Sequence, residues 1–94
     1  MNVIQKDVLE QIKQNHSDIR EQLNAWLTEA ESAHWKTPHD IKKKYRSASF
    51  LSNNIVIFNI KGNHYRLAVQ VNYSLEIVFI KKIGAHTEYS KWKF

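Results

Sequence analysis

Asn54-Ile-Val-Ile-Phe-Asn-Ile60, Lys61-Gly-Asn63, His64-Tyr-Arg-Leu-Ala-Val-Gln-Val-Asn-Tyr73 and, after a short break, Glu76-Ile-Val-Phe-Ile-Lys-Lys-Ile83 and Gly84-Ala-His-Thr-Glu-Tyr89 decide the fold. Three runs rich in β-branched and aromatic residues, joined by tight connections, predict an antiparallel meander. Gly62-Asn63 is a two-residue hairpin signal. A turn centred there pairs Asn59 with Arg66, Phe58 with Leu67 and Ile57 with Ala68.

Period-2 alternation then separates two faces. Tyr65, Leu67, Val69 and Val71, opposite Ile60, Phe58 and Val56, form an apolar face that must be covered. His64, Arg66, Ala68, Gln70 and Asn72, opposite Asn59, Ile57 and Ile55, form a mixed face. A second two-residue turn at Ser74-Leu75 adds Phe79, Lys81 and Ile83 to the mixed face. A slip of one residue would instead turn Lys81 to the core side and bring Lys82 forward.

Upstream, Ile4, Val8 and Ile12 recur at helical spacing, predicting a helix from Asp7 to about Asn15. Residues 2–5 read either as a short edge strand or as a helix lead-in. Asn15-His16-Ser17 breaks the pattern, and Ser17 or Asp18 is placed to cap a second helix. That helix runs to about Ser32 on an apolar stripe of Ile19, Leu23, Trp26, Leu27 and Ala30. The two form a helical hairpin over the apolar face. Thr37-Pro38-His39-Asp40 carries the elements of a capping box with proline at the first helical position, so a short helix follows to Tyr45. Residues 47–53 read as a polar loop, and Trp92 and Phe94 as anchors for the tail. The predicted class is α+β: an N-terminal helical hairpin on a twisted antiparallel sheet. The chain divides into a mainly helical part (1–46), a meander (54–86) and a tail (87–94) of one domain.

Length and composition set the outer limits. The chain of 94 residues suits one domain. It has no cysteine, which excludes disulfides and thiolate metal sites. It has neither a signal-peptide pattern nor an apolar run of membrane length, so a cytoplasmic protein without membrane association is expected. The net charge of +5 is unevenly spread. Residues 1–40 hold four basic and seven acidic side chains, and residues 41–94 hold ten basic ones against Glu76 and Glu88. Such a basic half interleaved with aromatics favours a polyanion or an acidic protein as partner.

The chemistry available is narrow. His34 and His39 lack a carboxylate at ligand spacing, and no HExxH motif, glycine-rich phosphate loop or GxSxG elbow occurs. No metal or other cofactor is therefore expected. Arg, Lys, His and Tyr remain, a set suited to transfer within RNA, in which a 2′-hydroxyl attacks the adjacent phosphodiester. Arg and Lys stabilise charge gathering at phosphorus, His exchanges protons near neutral pH, and neighbouring lysines would lower the pKa of a Tyr or His. Each residue also has a plainer reading: Arg66 as a surface or ion-pair residue, His86 as a structural strand-end group, Tyr89 as packing, His64 as solvent-exposed. Lys42, Lys43 and Lys44 read as a solvated helix face or as phosphate contacts.

Asn59-Ile-Lys-Gly-Asn-His-Tyr-Arg-Leu67 and His86-Thr-Glu-Tyr89 resemble the HigB family of the RelE/ParE toxin superfamily. His16-Ser-Asp18, the Leu23…Trp26 helix and Ala33-His-Trp-Lys36 extend the resemblance over nearly the whole chain. It implies a type II toxin that cleaves mRNA on the ribosome without metal and is neutralised by a cognate helix-turn-helix antitoxin, DNA being met only through that antitoxin. It further implies Arg66 as phosphate and transition-state binder, His86 and Tyr89 as acid/base and stacking groups, and Lys81 or Lys82 as the basic strand residue. Lys61, with His64, Lys42, Lys43, Lys44 and Lys91, would hold the RNA. The family often has Thr, Asp and Gly where this chain has Ala85, Ser90 and Lys61. Two alternatives share the scaffold: a ParE-like inhibitor of DNA gyrase without enzymatic activity, and a decayed, inactive homologue.

Overall fold

The computed structural model describes residues 1–62 and 64–94. Its elements are β1 (Asn2–Ile4), α1 (Asp7–Asn15), a 3-10 turn (Ser17–Ile19), α2 (Arg20–Ser32), α3 (Pro38–Lys44), β2 (Ser49–Leu51), β3 (Ile55–Ile60), β4 (Tyr65–Asn72), β5 (Ile77–Ala85) and α4 (His86–Tyr89). The strands form one five-stranded sheet in the order β1-β5-β4-β3-β2, antiparallel except for the β1–β5 pair.

The β3–β4 register is the one the turn signal predicts: Ile57 faces Ala68, Phe58 faces Leu67 and Asn59 faces Arg66. Of the turn residues themselves, Gly62 has a positive φ of 64°, and Asn63 lies outside the described residues. Lys61 also adopts a left-handed φ, 54°, where a Cβ is sterically disfavoured.

The apolar face is buried under the helices as expected. Val56, Phe58, Leu67, Val69 and Val71 join Leu9, Ile19, Leu23, Trp26 and Ala30 in one core. Phe58 is its aromatic centre, edge-on to Trp26 and Tyr45 at centroid distances of 5.4 and 4.9 Å. Burial, with the Glu29 charge adding to it, pushes the Tyr45 phenol up to about 12. A buried Lys13 ties α1 to α2, donating to Asn24 Oδ1 and to Glu10 Oε1, while Arg20 donates to the Lys13 carbonyl. The α3 capping box is present: Thr37 Oγ1 accepts from the Asp40 amide, and the Asp40 carboxylate accepts from the Thr37 amide.

Four local expectations change. Residues 2–4 are an edge strand, resolving the open choice, because Val3 fills a core position beside Val78 of β5. Ser49–Leu51, read as loop, is a strand on β3; three residues are too few for alternation to register in the sequence. Neither Ser17 nor Asp18 caps α2 with its side chain; Asp18 instead pairs with Lys61 at 2.8 Å.

The fourth change concerns β5. Gln70 faces Phe79, as a turn at Ser74-Leu75 requires, but the register shifts between Ala68 and Val69, so that Lys82 faces Ala68 and Ile83 faces Leu67. Lys81 is the extra residue of a β-bulge. Ile83 therefore packs against the main core rather than joining the mixed face. Both lysines stay exposed, and the bulge satisfies both registers that the sequence left open.

Candidate functional site

The face of the sheet turned away from the helices has an apolar floor. Ile55 and Ile57 of β3 and Ala68 of β4 are buried, and Tyr89 and Trp92 pack on them. The mixed face is thus partly roofed by α4 and the residues after it, with the Tyr89 and Trp92 rings edge-to-face at 5.7 Å. Trp92 is the tail anchor expected, whereas Phe94 remains 49% exposed.

Arg66 stands at the edge of that roof. It is half-buried, its Nη1 donates to Asn59 Oδ1, and its guanidinium lies 5.7 Å from the Tyr89 ring centroid, within range of a cation–π attraction. Asn59 is held in turn, its Nδ2 donating to the Ser47 carbonyl at 3.3 Å. The amide orientation is therefore fixed from both ends, and it aims an acceptor at the guanidinium.

On the other flank of Arg66 lies Gly84, its direct partner on β5. A Cβ built at Gly84 would sit 3.1 Å from Glu88 Oε2 and 3.2 Å from Trp92 Cζ2. A larger residue there would require the Glu88 carboxylate and the Trp92 ring to give by a few tenths of an ångström. Glu88 bends back so that its Oε1 accepts the Ala85 amide at 3.4 Å, half of a capping box for α4. The other half is missing, because Ala85 offers no side-chain acceptor. His86 opens α4, exposed, and its backbone N–H donates to the His64 carbonyl at 2.9 Å. That bond carries the β4–β5 pairing one step further and sets the two histidines at the same end of the sheet.

Lys82 stands opposite Ala68, two residues along β4 from Arg66. Lys81 lies with its Nζ 5.6 Å from the Phe79 ring centroid. Both line a depression of about 250 Å³ together with Gln70, Lys93 and Phe94. A larger hollow of about 540 Å³ lies around Asn72 and Ser74 at the other end of β4; it contains no basic side chain.

Arg66, Tyr89 and Lys82 thus share one face, with His86 and His64 at its end. The remaining candidates are dispersed. Lys61 is turned to the helical layer by its bond to Asp18, which raises the Lys61 pKa and lowers that of Asp18. Lys42 donates to the Ala48 carbonyl at 2.8 Å and lies over Phe50, and Lys44 is 3.8 Å from Glu29. Lys43 and Lys91 are exposed. Asn59, Gly84, Glu88 and Lys93 escaped the sequence reading. Asn59 was legible in principle, because the predicted register already set it opposite Arg66.

Helices backing one face of an antiparallel sheet, with a basic open face and a C-terminal turn across it, are the architecture of RelE/ParE-type toxins. The description of the matching family model is the RelE-like toxic component of a toxin–antitoxin system. That model covers residues 19–92, and the chain belongs to the HigB toxin family. Membership implies a cognate antitoxin. No curated protein matches the chain. Among the described residues, no helix is long and apolar enough to cross a membrane.

Proposed function

We propose that the protein is a metal-independent endoribonuclease that cuts mRNA on the ribosome and is silenced by its antitoxin. The observation that supports this most is Arg66, fixed by Asn59 and flanked by Tyr89 at the edge of a partly roofed basic face. A guanidinium held before substrate arrives stabilises charge on a phosphodiester without reorganising during the reaction.

The reaction is transfer within the RNA. The 2′-oxygen bonds to phosphorus as the bond from phosphorus to the 5′-oxygen breaks. A 2′,3′-cyclic phosphate and a 5′-hydroxyl result. His86 and Tyr89 are the groups we assign to the proton leaving the 2′-hydroxyl and the proton reaching the 5′-oxygen. Arg66 and Lys82 bind the phosphate oxygens.

Mapping RNA 5′ ends in cells shortly after induction tests this reading. New ends inside translated messages, absent with Arg66→Ala and His86→Ala, are expected. DNA-damage signalling without such ends would replace it with gyrase inhibition. Neither cuts nor growth arrest would point to a decayed homologue.

A further inference from the structure

The depression beside the bulge has the composition of a base-binding subsite. Its floor is Ile55, buried and continuous with the apolar floor under Tyr89. One wall is Phe94, half-exposed and edge-on to Trp92 at 6.4 Å between centroids. The other wall is polar. Gln70 Nε2 donates to the Asn53 carbonyl at 3.0 Å. That bond fixes the amide orientation, and no hydrogen bond to the Gln70 carbonyl oxygen is made among the described residues, so it can accept from a base edge. Lys81, Lys82 and Lys93 ring the opening.

Position along the strand supplies the second argument. Arg66 and Gln70 project from the same face of β4, four residues apart and hence about 13 Å, a length an extended RNA strand covers in roughly two nucleotides. A strand whose scissile phosphate lies at Arg66, at the edge of the Tyr89–Trp92 roof, and whose backbone then passes the exposed Lys82 and Lys81 of β5 brings another base to this depression. An apolar floor with one aromatic wall suits a planar ring, and lysines at the rim suit the adjoining phosphates.

We propose that this depression holds one nucleobase of the RNA, about two nucleotides from the cut bond, stacked on Phe94 and contacted at its edge by Gln70. It is then a specificity subsite, separate from the groups that perform the cut. The proposal rests on the nuclease reading for the location of the scissile phosphate. Base binding at Phe94 is a separate physical claim and is tested separately.

The experiment has two arms, run on parent, Phe94→Ala and Gln70→Leu proteins shown to be folded by circular dichroism. Where the parent cuts messages in cells, both variants should keep cutting while the base preference about two nucleotides from the cut flattens. An unchanged preference there, or none in the parent, overturns the subsite and leaves the nuclease reading standing. Where the parent makes no cuts, an all-2′-deoxy single strand carrying 2-aminopurine decides. Quenching by the parent, with Phe94→Ala binding about 5- to 150-fold more weakly, keeps the base site while the nuclease reading fails. No difference between parent and Phe94→Ala overturns it.

Discussion

Arg66 and Asn59 face each other across β4 and β3, and the Asn59 carboxamide, itself held by the Ser47 carbonyl, accepts a hydrogen bond from the guanidinium. Asn59 is thus a positioning residue for the charge on which the proposed cut depends. Replacing Asn59 with Ala leaves that charge in place and releases its orientation. Cutting should fall about ten- to a hundredfold. Arg66→Lys should lower it as well, since an ammonium lacks the planar fork. Cleavage of a reporter message in a translating lysate is the measurement. Parental rates from Asn59→Ala would remove Asn59 from the site.

The two lysines of β5 should separate. Lys82 is opposite Ala68, on the line from Arg66, whereas Lys81 is the bulged residue and lies against Phe79. Lys82→Ala is expected to slow cutting by about tenfold or more, as loss of one charge-stabilising donor does. Lys81→Ala should change it by less than about threefold and mainly weaken binding through a lost phosphate contact. Deleting Lys81 should remove the bulge and leave Lys82 opposite Ala68 and Ile83 opposite Leu67 in a regular ladder, so the fold and the cutting step should both survive. Equal effects of the two alanine variants on the cutting step would sink the assignment.

These lysines also mark where the sequence stops being informative. The β3–β4 register was legible because Gly62-Asn63 fixes a turn centre and everything else follows by counting. The α3 start was legible because Thr37, Pro38 and Asp40 form a local hydrogen-bond pattern. The bulge was not, because adjacent lysines satisfy both possible registers equally. Nor was the apolar floor of the mixed face: Ile55, Ile57 and Ala68 are buried only because Tyr89 and Trp92 fold over them. The Lys61–Asp18 pair was not legible for a similar reason, since the two residues lie 43 positions apart in the chain. Long-range pairs of exposed charges leave no periodic trace.

The Lys61–Asp18 pair predicts a pH-dependent effect. The hydrogen bond from Lys61 holds the Asp18 carboxyl below its ordinary value of 3.8. Its stabilising contribution is therefore present above that value and is lost as pH falls through the lower folded value. The Lys61 pKa is raised above 10.5, so its share persists below 10.5 and disappears only at higher pH. Lys61→Gly removes this exposed pair and also relieves the left-handed backbone at φ 54°. The variant should thus gain thermal stability over the parent as pH is lowered from neutral through the Asp18 titration. Melting curves followed by circular dichroism at both ends of that range decide it. A difference in midpoint that does not vary with pH would show that the pair contributes nothing.

Gly84 limits how closely α4 can lie. Its absent Cβ would meet Glu88 Oε2 at 3.1 Å and Trp92 Cζ2 at 3.2 Å, so Gly84→Ala requires the Glu88 carboxylate and the Trp92 ring to give by a few tenths of an ångström, and a Trp92 ring that cannot move within the packed floor carries the segment outward with it. A stability loss of about 1–2 kcal/mol is expected from overpacking of this kind. Activity should fall further than stability, because Tyr89 beside Arg66 moves with the segment. Tryptophan fluorescence should report the displacement of Trp92. A variant with unchanged fluorescence and full activity would mean that the contact yields without cost.

The last prediction concerns the residue that begins α4. Ala85 sits at the N-cap in extended conformation, φ −66° and ψ 154°, the geometry in which a hydroxyl accepts from the third amide of the helix. Glu88 already supplies the reverse hydrogen bond to the Ala85 amide. Ala85→Thr or Ala85→Ser would complete the box and stabilise the turn by about 1 kcal/mol. A helix of four residues has little else to hold it, so the gain should appear as order at His86 and Tyr89. Cutting should become faster by a few-fold, with His86→Ala abolishing the increase. If the hydroxyl variants melt higher and cut no faster, the turn is already ordered in the parent, and the rate is set elsewhere on the face.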